Sequence, residues 1–587
     1  MRPSVWVVPG YLVATLAVTW PLARAFRTAL PAVFNSIDPL LQAFILGWDR
    51  HAFATGLLRV FDAPIFFPER RTLTYMDSLL GEAVISGPAA LLMGGAAAAY
   101  NALVVLGFVS SGWATYRLAR ALGASRAAGF VGGLFYVLGP YRLSNLGNLN
   151  QLQTQLVPLG LLFAVRFAAT RRTRELAWLF ATLAVQSYFG WYYAFHLALV
   201  YGVALACGIA FRWPGMAPLP WKRAALAAGL ALLAMLPCAW PYWQEHVAMA
   251  GFTRRLGKAA LYSADLLDYV RVNRENALGR VLHLPRGDLA YAIGIVTLAL
   301  AAAGVRARRA WPAVPERLPG FDRFLGWLAG LAFVLSLGPI LHVAGHRLPV
   351  PLPYAVLYLA VPGFSSMRAP GRFAELVLLV AALFAARGYD AVRARTRNTV
   401  ESGLAFAGVV LAAVATAWSA PIPLVTYPTA ATMPPVYRWI ADQPGRFAIL
   451  ELPMPFRESE ESERDAVRQI WLLYHGKARA DGVSGFSSPA HEGFRALMRS
   501  FPDPLAVRAV AGRGVRFVIV RYGEYDRREA ARIAHEIVAV RELLPVHAEG
   551  SDVVYSLAPA DPLAGLGPGS DDGRRESRAS LRVSGRP

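Results

Sequence analysis

The feature that most constrains this chain is a series of long apolar stretches that recurs from Val5 to Ser419. A helix needs about 20 mainly apolar residues to cross the hydrocarbon core of a bilayer, and these stretches approach or reach that length. They predict a polytopic α-helical membrane protein with about 11 transmembrane helices, in a range of about 10 to 13. The predicted spans cover residues 4–23, 98–118, 124–140, 153–169, 175–191, 193–212, 223–243, 288–305, 322–344, 373–388 and 400–419.

From Pro421 onward the sequence changes to that of a soluble protein, with acidic and basic residues spread throughout. Stretches with helical and strand patterns alternate there, which is typical of a small α/β domain. The predicted helices cover 434–443, 458–473 and 526–540, and the predicted strands cover 446–453, 515–522 and 553–557. We therefore expect a membrane domain over 1–420, a soluble extracytoplasmic α/β domain over 421–560 and a disordered Gly/Ser/Arg-rich tail over 561–587.

Basic residues outnumber acidic ones and give a formal net charge of +21. Binding to nucleic acid would need them gathered on one face or tail, whereas they are spread over short loops between the apolar stretches. These loops hold Arg117, Arg120 and Arg126; Arg171, Arg172 and Arg174; Arg212, Lys222 and Arg223; Arg306, Arg308, Arg309 and Arg317; and Arg387, Arg393, Arg395 and Arg397. The positive-inside rule keeps such loops in the cytoplasm. We therefore expect no nucleic-acid partner, and a bacterial plasma membrane protein with a cytoplasmic N-terminus and an extracytoplasmic C-terminal domain.

Two shorter apolar stretches, 79–97 and 350–363, are expected to lie at the external membrane surface rather than cross it. Only then do all the basic loops fall on one side, and the prolines within both stretches suit broken interfacial segments. Loops longer than about 12–15 residues usually carry function, so we expect any chemistry to face outward. Besides the C-terminal domain, the external pieces are 24–97, 141–152, 244–287 and 345–372.

The first external piece carries carboxylates that are candidates for chemistry. Asp38 follows the first span beside an apolar stripe at helical spacing, where a carboxylate can act as a general base or orient a hydroxyl. The alternative is that Asp38 caps a helix, because Pro39 suits the first helical position. Asp49 lies about three helical turns further on and could share a face with Asp38. We count Asp49 and Asp77 as candidate substrate-binding residues.

Side-chain amides crowd the piece after the third span, which reads GPYRLSNLGNLNQLQTQ. Amides at the mouth of a membrane helix cost desolvation energy unless they find hydrogen-bond partners. A polyhydroxylated ligand could be that partner, and so could water or neighbouring helices. Arg142, Asn148 and Gln151 are therefore candidate substrate-binding residues. The aromatic residues within 188–193 fit either an interface belt or a surface on which sugars stack.

Arginines in external loops run against the positive-inside rule and are therefore informative. Arg254 and Arg271 lie in the 244–287 loop, and Arg368 and Arg372 lie directly before a span. Guanidinium groups suit bidentate contact with phosphate, and a lipid phosphate would lie at that depth. We count all four as candidate substrate-binding residues. The alternative is contact with ordinary anionic headgroups.

Several stretches together resemble the GT-C superfamily of glycosyltransferases, which use polyprenyl-phosphate-linked sugars. They are the acidic segment around Asp38 and Pro39, FFPERRTLTYMDSLLGE, AAYNALVVLGFVSSGWATYRLARALGAS, GPYRLSNLGNLNQLQ, YSADLLDYV and VPGFSSMRAPGRF. The resemblance extends over most of residues 30–390 and more loosely over the soluble part. It implies a catalytic carboxylate at Asp38 and a lipid-phosphate contact at Arg368 or Arg372.

The function that this resemblance implies is transfer of a hexose or pentose from a polyprenyl-phosphate donor to a glycan, lipid or protein acceptor on the extracytoplasmic face. Many members have two clustered acidic residues in the first external loop, whereas Asp38 stands apart from Asp49 and Asp77. This departure argues against a tightly held divalent metal, the one cofactor that the resemblance leaves open, and weakens the case for catalysis. The alternatives are a non-catalytic GT-C-like protein, a flippase or a transporter in cell-envelope glycan assembly.

Overall fold

Helices dominate the first part of the chain. The computed structural model describes residues 5–216, 218–249, 256–287, 291–307, 311, 316–361, 364–457 and 461–557. The helices up to residue 417 are α1 (Val7–Val18), α2 (Ile37–Thr55), α3 (Leu80–Met93), α4 (Ala96–Ala121), α5 (Arg126–Val137), α6 (Pro140–Ser144), α7 (Leu149–Leu152), α8 (Leu156–Thr170), α9 (Thr173–Phe189), α10 (Trp191–Ala210), α11 (Trp221–Ala248), α12 (Leu256–Leu261), α13 (Ala277–Val281), α14 (Ile295–Arg306), α15 (Phe321–Ser336), α16 (Tyr354–Ala360), α17 (Ala374–Arg393) and α18 (Thr399–Ala417).

Strands and further helices make up the rest. The helices after residue 420 are α19 (Pro435–Asp442), α20 (Glu463–His475), α21 (Pro489–Leu497), α22 (Pro504–Gly512) and α23 (Arg527–Ile537). The strands are β1 (Ala29–Pro31), β2 (Val272–Asn273), β3 (Arg286–Gly287), β4 (Ile340–Val343), β5 (His346–Pro351), β6 (Leu424–Thr426), β7 (Ala448–Leu452), β8 (Ala478–Arg479), β9 (Val515–Arg521), β10 (Leu543–Glu549) and β11 (Asp552–Leu557). The predicted disordered tail lies outside the described residues.

Each predicted span contains a helix, and the predicted α-helical membrane class is confirmed in this coarse form. Five helical stretches are long and apolar enough to cross a membrane by themselves. They are Ala96–Ala121, Leu149–Thr170 (α7 with α8), Trp191–Ala210, Trp221–Ala248 and Thr399–Ala417. Shorter apolar helices pack among them, notably α1, α5 and α14. The number of spans stays a prediction.

The helices of two predicted spans, 4–23 and 322–344, end well before the predicted end. α1 ends at Val18 rather than near residue 23, because Pro21 has no N–H to continue a helix. α15 ends at Ser336 rather than near residue 344, because Gly338 has a φ of +75° and a proline follows it. The chain then turns back on itself as the β4–β5 hairpin.

α14 and α17 run in the same direction in close contact. A Cβ atom added at Gly304 would lie 1.9 Å from the carbonyl oxygen of Phe384, and one added at Gly388 would lie 1.9 Å from that of Leu300. The two helices therefore approach through glycine at both positions, and their C-terminal ends lie at the same end of the bundle.

The piece 141–152, which the sequence predicts on the external side, is buried within the protein throughout. It forms the short helices α6 and α7 beneath the segment that follows α1. Gly147 packs against Pro31 and Pro39 of that segment. Its amides are therefore enclosed by protein rather than standing at an open helix mouth.

The last part of the chain forms a five-stranded mixed sheet in the order β10–β11–β9–β7–β8. β7 lies parallel to both β8 and β9, whereas β11 is antiparallel to its two neighbours. Apolar clusters cover both faces of the sheet, one around Leu450 and Val518 and the other around Ile449 and Trp471. The pattern agrees with the predicted alternation of helices and strands.

The sheet is joined to the first external piece by backbone hydrogen bonds. The Phe67 N–H donates to the carbonyl of Arg479 at 3.0 Å, and the Arg479 N–H donates to the carbonyl of Pro64 at 2.9 Å, so this piece extends the edge of the sheet at β8. β1 also pairs antiparallel with β6. A Cβ atom added at Gly47 of α2 would lie 2.4 Å from Cδ1 of Leu473 of α20, which shows how closely the two helices pack.

Candidate functional site

Asp38 lies in the first turn of α2, which follows Ser36. Asn35 Oδ1 accepts from the Asp38 N–H at 2.7 Å. The Asp38 side chain itself accepts from no backbone N–H of this helix among the described residues. Its Oδ2 instead accepts from Asn35 Nδ2 at 2.8 Å and from Asn148 Nδ2 at 3.3 Å.

A row of amides connects Asp38 to a second carboxylate, Asp77. Gln42 Nε2 donates to the side-chain oxygens of Asn148 and Asn150, at 2.9 and 3.4 Å. Asn150 Nδ2 in turn donates to Asp77 Oδ2 at 2.6 Å. Because each amide has both a donor and an acceptor engaged, the row holds the two carboxylates in defined orientations. We call these five residues the amide row.

Both carboxylates of the amide row keep one oxygen available. Asp38 and Asp77 are partly exposed, whereas Gln42, Asn148 and Asn150 are buried. The Oδ1 atoms of Asp38 and Asp77 accept no hydrogen bond from the residues that the structure describes. Two oriented carboxylate oxygens are therefore available next to the three buried amides.

Two further carboxylates, Asp49 and Glu82, lie behind this surface and are fully buried. None of their four carboxylate oxygens has a hydrogen-bond partner within the described ranges. Burial raises the pKa of both groups well above the usual range, and nearby negative charge raises the pKa of Glu82 further. Burial therefore favours the uncharged form of both groups. Although Asp49 shares a helix with Asp38, it lies roughly 16 Å further along the helix axis, so it is not part of the exposed surface.

Gln151 continues the site toward the tyrosines of α6 and α10. Its Oε1 accepts from the Tyr141 hydroxyl at 2.7 Å, and its backbone carbonyl accepts from the Tyr193 hydroxyl at 3.1 Å. Both hydroxyls also affect the pKa of Arg372. Burial lowers the pKa of Arg372, but Tyr192, Tyr141, Asp77 and Tyr193 together raise it above its usual value. A permanent cation therefore stands within electrostatic reach of the amide row.

Two arginines before α17 share contacts with one tyrosine. The Arg372 guanidinium lies 3.9 Å from the ring centroid of Tyr192, and the Arg368 N–H donates to the Tyr192 hydroxyl at 2.7 Å. The Arg368 guanidinium lies 5.3 Å from the ring centroid of Tyr262. Neither guanidinium forms an ion pair with a carboxylate in the described part of the chain. Both are therefore held by aromatic contacts and keep donors for an anion.

Arg142 lies apart from these groups, in the interior of the helical bundle. It is fully buried and pairs with Glu375 at 3.2 Å, and it also donates to Thr154 and to the carbonyls of Gly107 and Leu152. A buried pair of this kind is costly to break, because the remaining charge would stay unpaired. These contacts give Arg142 of α6 an internal role in joining α4, α7 and α17, rather than a place on the exposed surface.

Arg271 is engaged away from the amide row. Arg271 pairs with Asp268 at 2.8 Å, and Asp268 belongs to a turn that also holds Asp265. Asp265 accepts from the N–H groups of Ala344 and Gly345, so this cluster supports the β4–β5 hairpin. Arg254 lies outside the described residues.

The site residues that sequence reasoning missed are Gln42 and the aromatic partners of the arginines. Gln42 is four residues after Asp38, so both project from the same face of α2, and this spacing could have revealed it. Tyr192 fits the predicted aromatic run, and its contact with Arg372 favours a place in the site over an interface belt alone. Tyr262 carries no distinguishing pattern in the sequence.

The donor set does not suit a divalent metal. Among the described residues, no three His, Cys, Asp or Glu side chains converge closely enough to hold one. Asp38 and Asp77 are separated by three amides whose oxygens already accept hydrogen bonds within the row or from the Leu149 N–H. Any chemistry at the amide row therefore involves only side chains of this chain.

No protein-family model and no curated protein matches this chain. Among solved structures it matches the arabinofuranosyltransferase AftD from Mycobacteria, with a TM-score of 0.56 and 17% identity over 94% of this chain and 39% of AftD. The chain has the AftD fold. A mutant of AftD gives a TM-score of 0.52 at 16% identity, over 94% of this chain and 41% of the mutant. The fold expected from the resemblance to membrane glycosyltransferases therefore agrees with that of AftD, a solved arabinofuranosyltransferase.

The match with AftD covers only part of that protein. This chain spans less than half the length of AftD. A structure of ArnT from Cupriavidus metallidurans bound to undecaprenyl phosphate gives a TM-score of 0.48 at 14% identity, over 96% of this chain and 99% of ArnT. The likeness to AftD therefore concerns the fold, and the activity rests on the site itself.

Proposed function

We propose that this chain is a membrane glycosyltransferase that moves a sugar from a polyprenyl-phosphate donor to an acceptor hydroxyl on the extracytoplasmic face. The observation that carries the proposal is the amide row, which orients Asp38 and Asp77 and places Asp77 within electrostatic reach of Arg372. The amide row and Arg372 together provide a base, hydrogen-bonding groups for sugar hydroxyls and a cation for phosphate. The AftD fold supports the proposal, because AftD is itself a glycosyltransferase.

Asp38 is the proposed catalytic residue. Its Oδ1 takes a proton from the acceptor hydroxyl, or orients that hydroxyl, as it attacks the anomeric carbon of the donor. The bond from the anomeric carbon to the phosphate oxygen breaks, and the lipid phosphate leaves with the electron pair. Attack opposite the leaving group inverts the configuration at the anomeric carbon. Asn35 and Asn148 keep the carboxylate aimed by hydrogen bonds to its other oxygen.

Arg372 and Arg368 are the proposed phosphate contacts. Negative charge grows on the phosphate as the glycosidic bond breaks, so a fixed cation stabilises the transition state more than the ground state. Tyr192 positions both arginines, through its ring for Arg372 and through its hydroxyl for the Arg368 backbone. Asp77, Asn148 and Gln151 are proposed to bind sugar hydroxyls.

The topology that goes with this function places the site outside the cytoplasm. In this proposal the N-terminus is cytoplasmic, α3 lies along the outer surface of the plasma membrane, and the sheet after residue 420 is extracytoplasmic. The contacts between the sheet and the first external piece support a role in positioning α2, which carries Asp38. The sheet would then also form part of the path of the acceptor.

The proposal is tested by Asp38→Asn in membranes that contain the full chain, given a polyprenyl phosphate carrying a labelled sugar. The variant keeps the side-chain shape and can retain its amide-row contacts, but it lacks the base. We expect sugar transfer to fall by about a thousandfold at equal membrane abundance. Asp62→Asn is the matched control, because Asp62 lies in the same external piece and accepts only from the Arg71 N–H among the described residues. Full transfer by Asp38→Asn would refute the assignment and favour a non-catalytic carrier or flippase.

A further inference from the structure

A groove opens at the end of the helical bundle opposite the amide row. It has a volume of about 450 Å³ and lies between α1, α5, α17 and α18. α17 carries Arg372 just before its first residue and Arg393 at its last, and its 20 residues span about 30 Å. The groove is therefore separated from the candidate site by about the thickness of the hydrocarbon core.

The polar half of the groove is basic. Arg126 and Arg393 both line it and are exposed, and Ser402 accepts from Arg393 Nε at 3.2 Å. No acidic side chain is among its lining residues in the described part of the chain. The nearest acidic groups are engaged elsewhere: Asp390 accepts from the Ser125 N–H and the Trp311 indole, and Glu401 accepts from the Arg397 N–H.

A buried hydroxyl faces this basic half. Tyr389 lines the groove and is only 1% exposed, yet its hydroxyl has no hydrogen-bond partner within the described ranges. A buried hydroxyl without a partner is costly, and a ligand that accepts a hydrogen bond would remove this cost. α5 and α18 also begin at the groove, with Arg126 and Thr399, so their N-terminal dipoles favour an anion there.

The other half of the groove is apolar and continuous with the lipid-facing surface. Trp6 and Phe406 line it, with ring centroids 6.1 Å apart. The neighbouring Val400 and Leu404 of α18 are largely exposed on the outside of the bundle. An occupant can therefore place an anionic group between the arginines while its apolar part continues into the bilayer.

We propose that this groove binds an anionic glycerophospholipid, with its phosphate between Arg126 and Arg393. Tyr389 donates a hydrogen bond to a phosphate oxygen, and an acyl chain follows Trp6 and Phe406. The lipid bridges α5 and α18, which otherwise meet only near this groove. The site is independent of sugar transfer, because it lies at the other end of α17.

Native mass spectrometry of the full chain in detergent, with phosphatidylglycerol added, measures this binding. Each arginine is expected to contribute about fivefold to affinity, so Arg126→Gln with Arg393→Gln should weaken it by about 25-fold. Tyr389→Phe, which removes only the buried hydroxyl, should weaken it by about fivefold. Arg306→Gln is the matched control, because Arg306 ends α14 at the same end of the bundle and is exposed outside the groove.

The comparison between lipids decides the nature of the ligand. We expect phosphatidylcholine to bind at least tenfold more weakly, and a large excess of inorganic phosphate not to displace phosphatidylglycerol. Equal loss of binding in the double variant and in Arg306→Gln would overturn the proposal, since it would mean attraction to surface charge in general. Displacement by inorganic phosphate would overturn it too, because the groove would then recognise a soluble anion. Unchanged binding in both the double variant and Tyr389→Phe would show that the lipid binds elsewhere.

Discussion

Two pairs of carboxylates lie close together in the first external piece, and they differ in almost every physical respect. Asp38 and Asp77 are partly exposed, and each accepts hydrogen bonds from side-chain amides. Asp49 and Glu82 are fully buried and accept none from the residues that the structure describes. The first pair can carry charge and meet a substrate, whereas burial keeps the second pair neutral.

This difference shows why residue type and spacing alone do not identify an active site. Asp38 and Asp49 belong to the same helix and lie near the same face of it. Asp38 is partly exposed in the first turn, beside the amides of Asn35 and Asn148, whereas Asp49 is fully buried near the other end of the helix. The surroundings, not the carboxyl group, decide which residue can act as a base.

A large effect that separates the two pairs is also expected at Asp77, the second partly exposed carboxylate. Asp77→Asn should lower sugar transfer by about a hundredfold, because it removes an oriented charge next to the proposed sugar site. Glu82→Gln, a few residues away in the buried pair, should leave transfer within about twofold of wild type. Rates with a labelled polyprenyl-phosphate sugar, normalised to membrane abundance, provide the measurement. Equal losses in the two variants would remove the distinction between the pairs.

A smaller effect is expected from the cation at the far end of the amide row. Arg372→Gln should weaken the use of the donor by about tenfold, because one charged hydrogen bond to phosphate is lost. Arg271→Gln should have little effect, since the Arg271 guanidinium already pairs with Asp268. The value of kcat/KM for the donor, compared for both variants, tests this. A larger effect for Arg271→Gln would indicate that the lipid phosphate contacts Arg271 in the 244–287 loop, which the sequence also allows.

The smallest effect concerns stability rather than activity. Burial raises the pKa of Asp49, so the folded chain keeps a proton that the unfolded chain releases above about pH 4. Stability of the wild type therefore falls as the pH rises from about 4 toward the raised pKa. Asp49→Asn removes this dependence and should stabilise the protein near neutral pH by about 1–3 kcal/mol. Thermal unfolding in detergent between about pH 4 and 8 measures both trends. If Asp49→Asn destabilised the protein instead, the Asp49 carboxylate would have to be charged and paired.

Much of the fold could be predicted from the sequence because length and apolar content determine which helices can enter a membrane. The strand Val515–Arg521 was also evident from its run of β-branched residues. β10 was missed, because it is mostly exposed at the sheet edge and contains Pro545, so it lacks the alternation that marks a strand. α21 and α22 were missed because each is only nine residues long.

The candidate site was predictable only in part, because its residues come from segments far apart in the chain. Asp38 and Asn148 are 110 positions apart, and no local pattern indicates that their side chains meet. Arg142 illustrates the opposite error: its position among the amides suggested a ligand contact, but Glu375, a distant carboxylate, pairs with it in the interior. Such pairings depend on tertiary packing, which spacing within one segment does not reveal.

The central claim is that the exposed carboxylate of α2 does the chemistry and the buried one does not. The most direct measurement compares Asp38→Asn with Asp49→Asn in one assay of sugar transfer from a labelled polyprenyl phosphate, at equal membrane abundance. The account predicts a loss of about a thousandfold for Asp38→Asn and a rate within about twofold of wild type for Asp49→Asn. Transfer that survives Asp38→Asn but is lost in Asp49→Asn would contradict it.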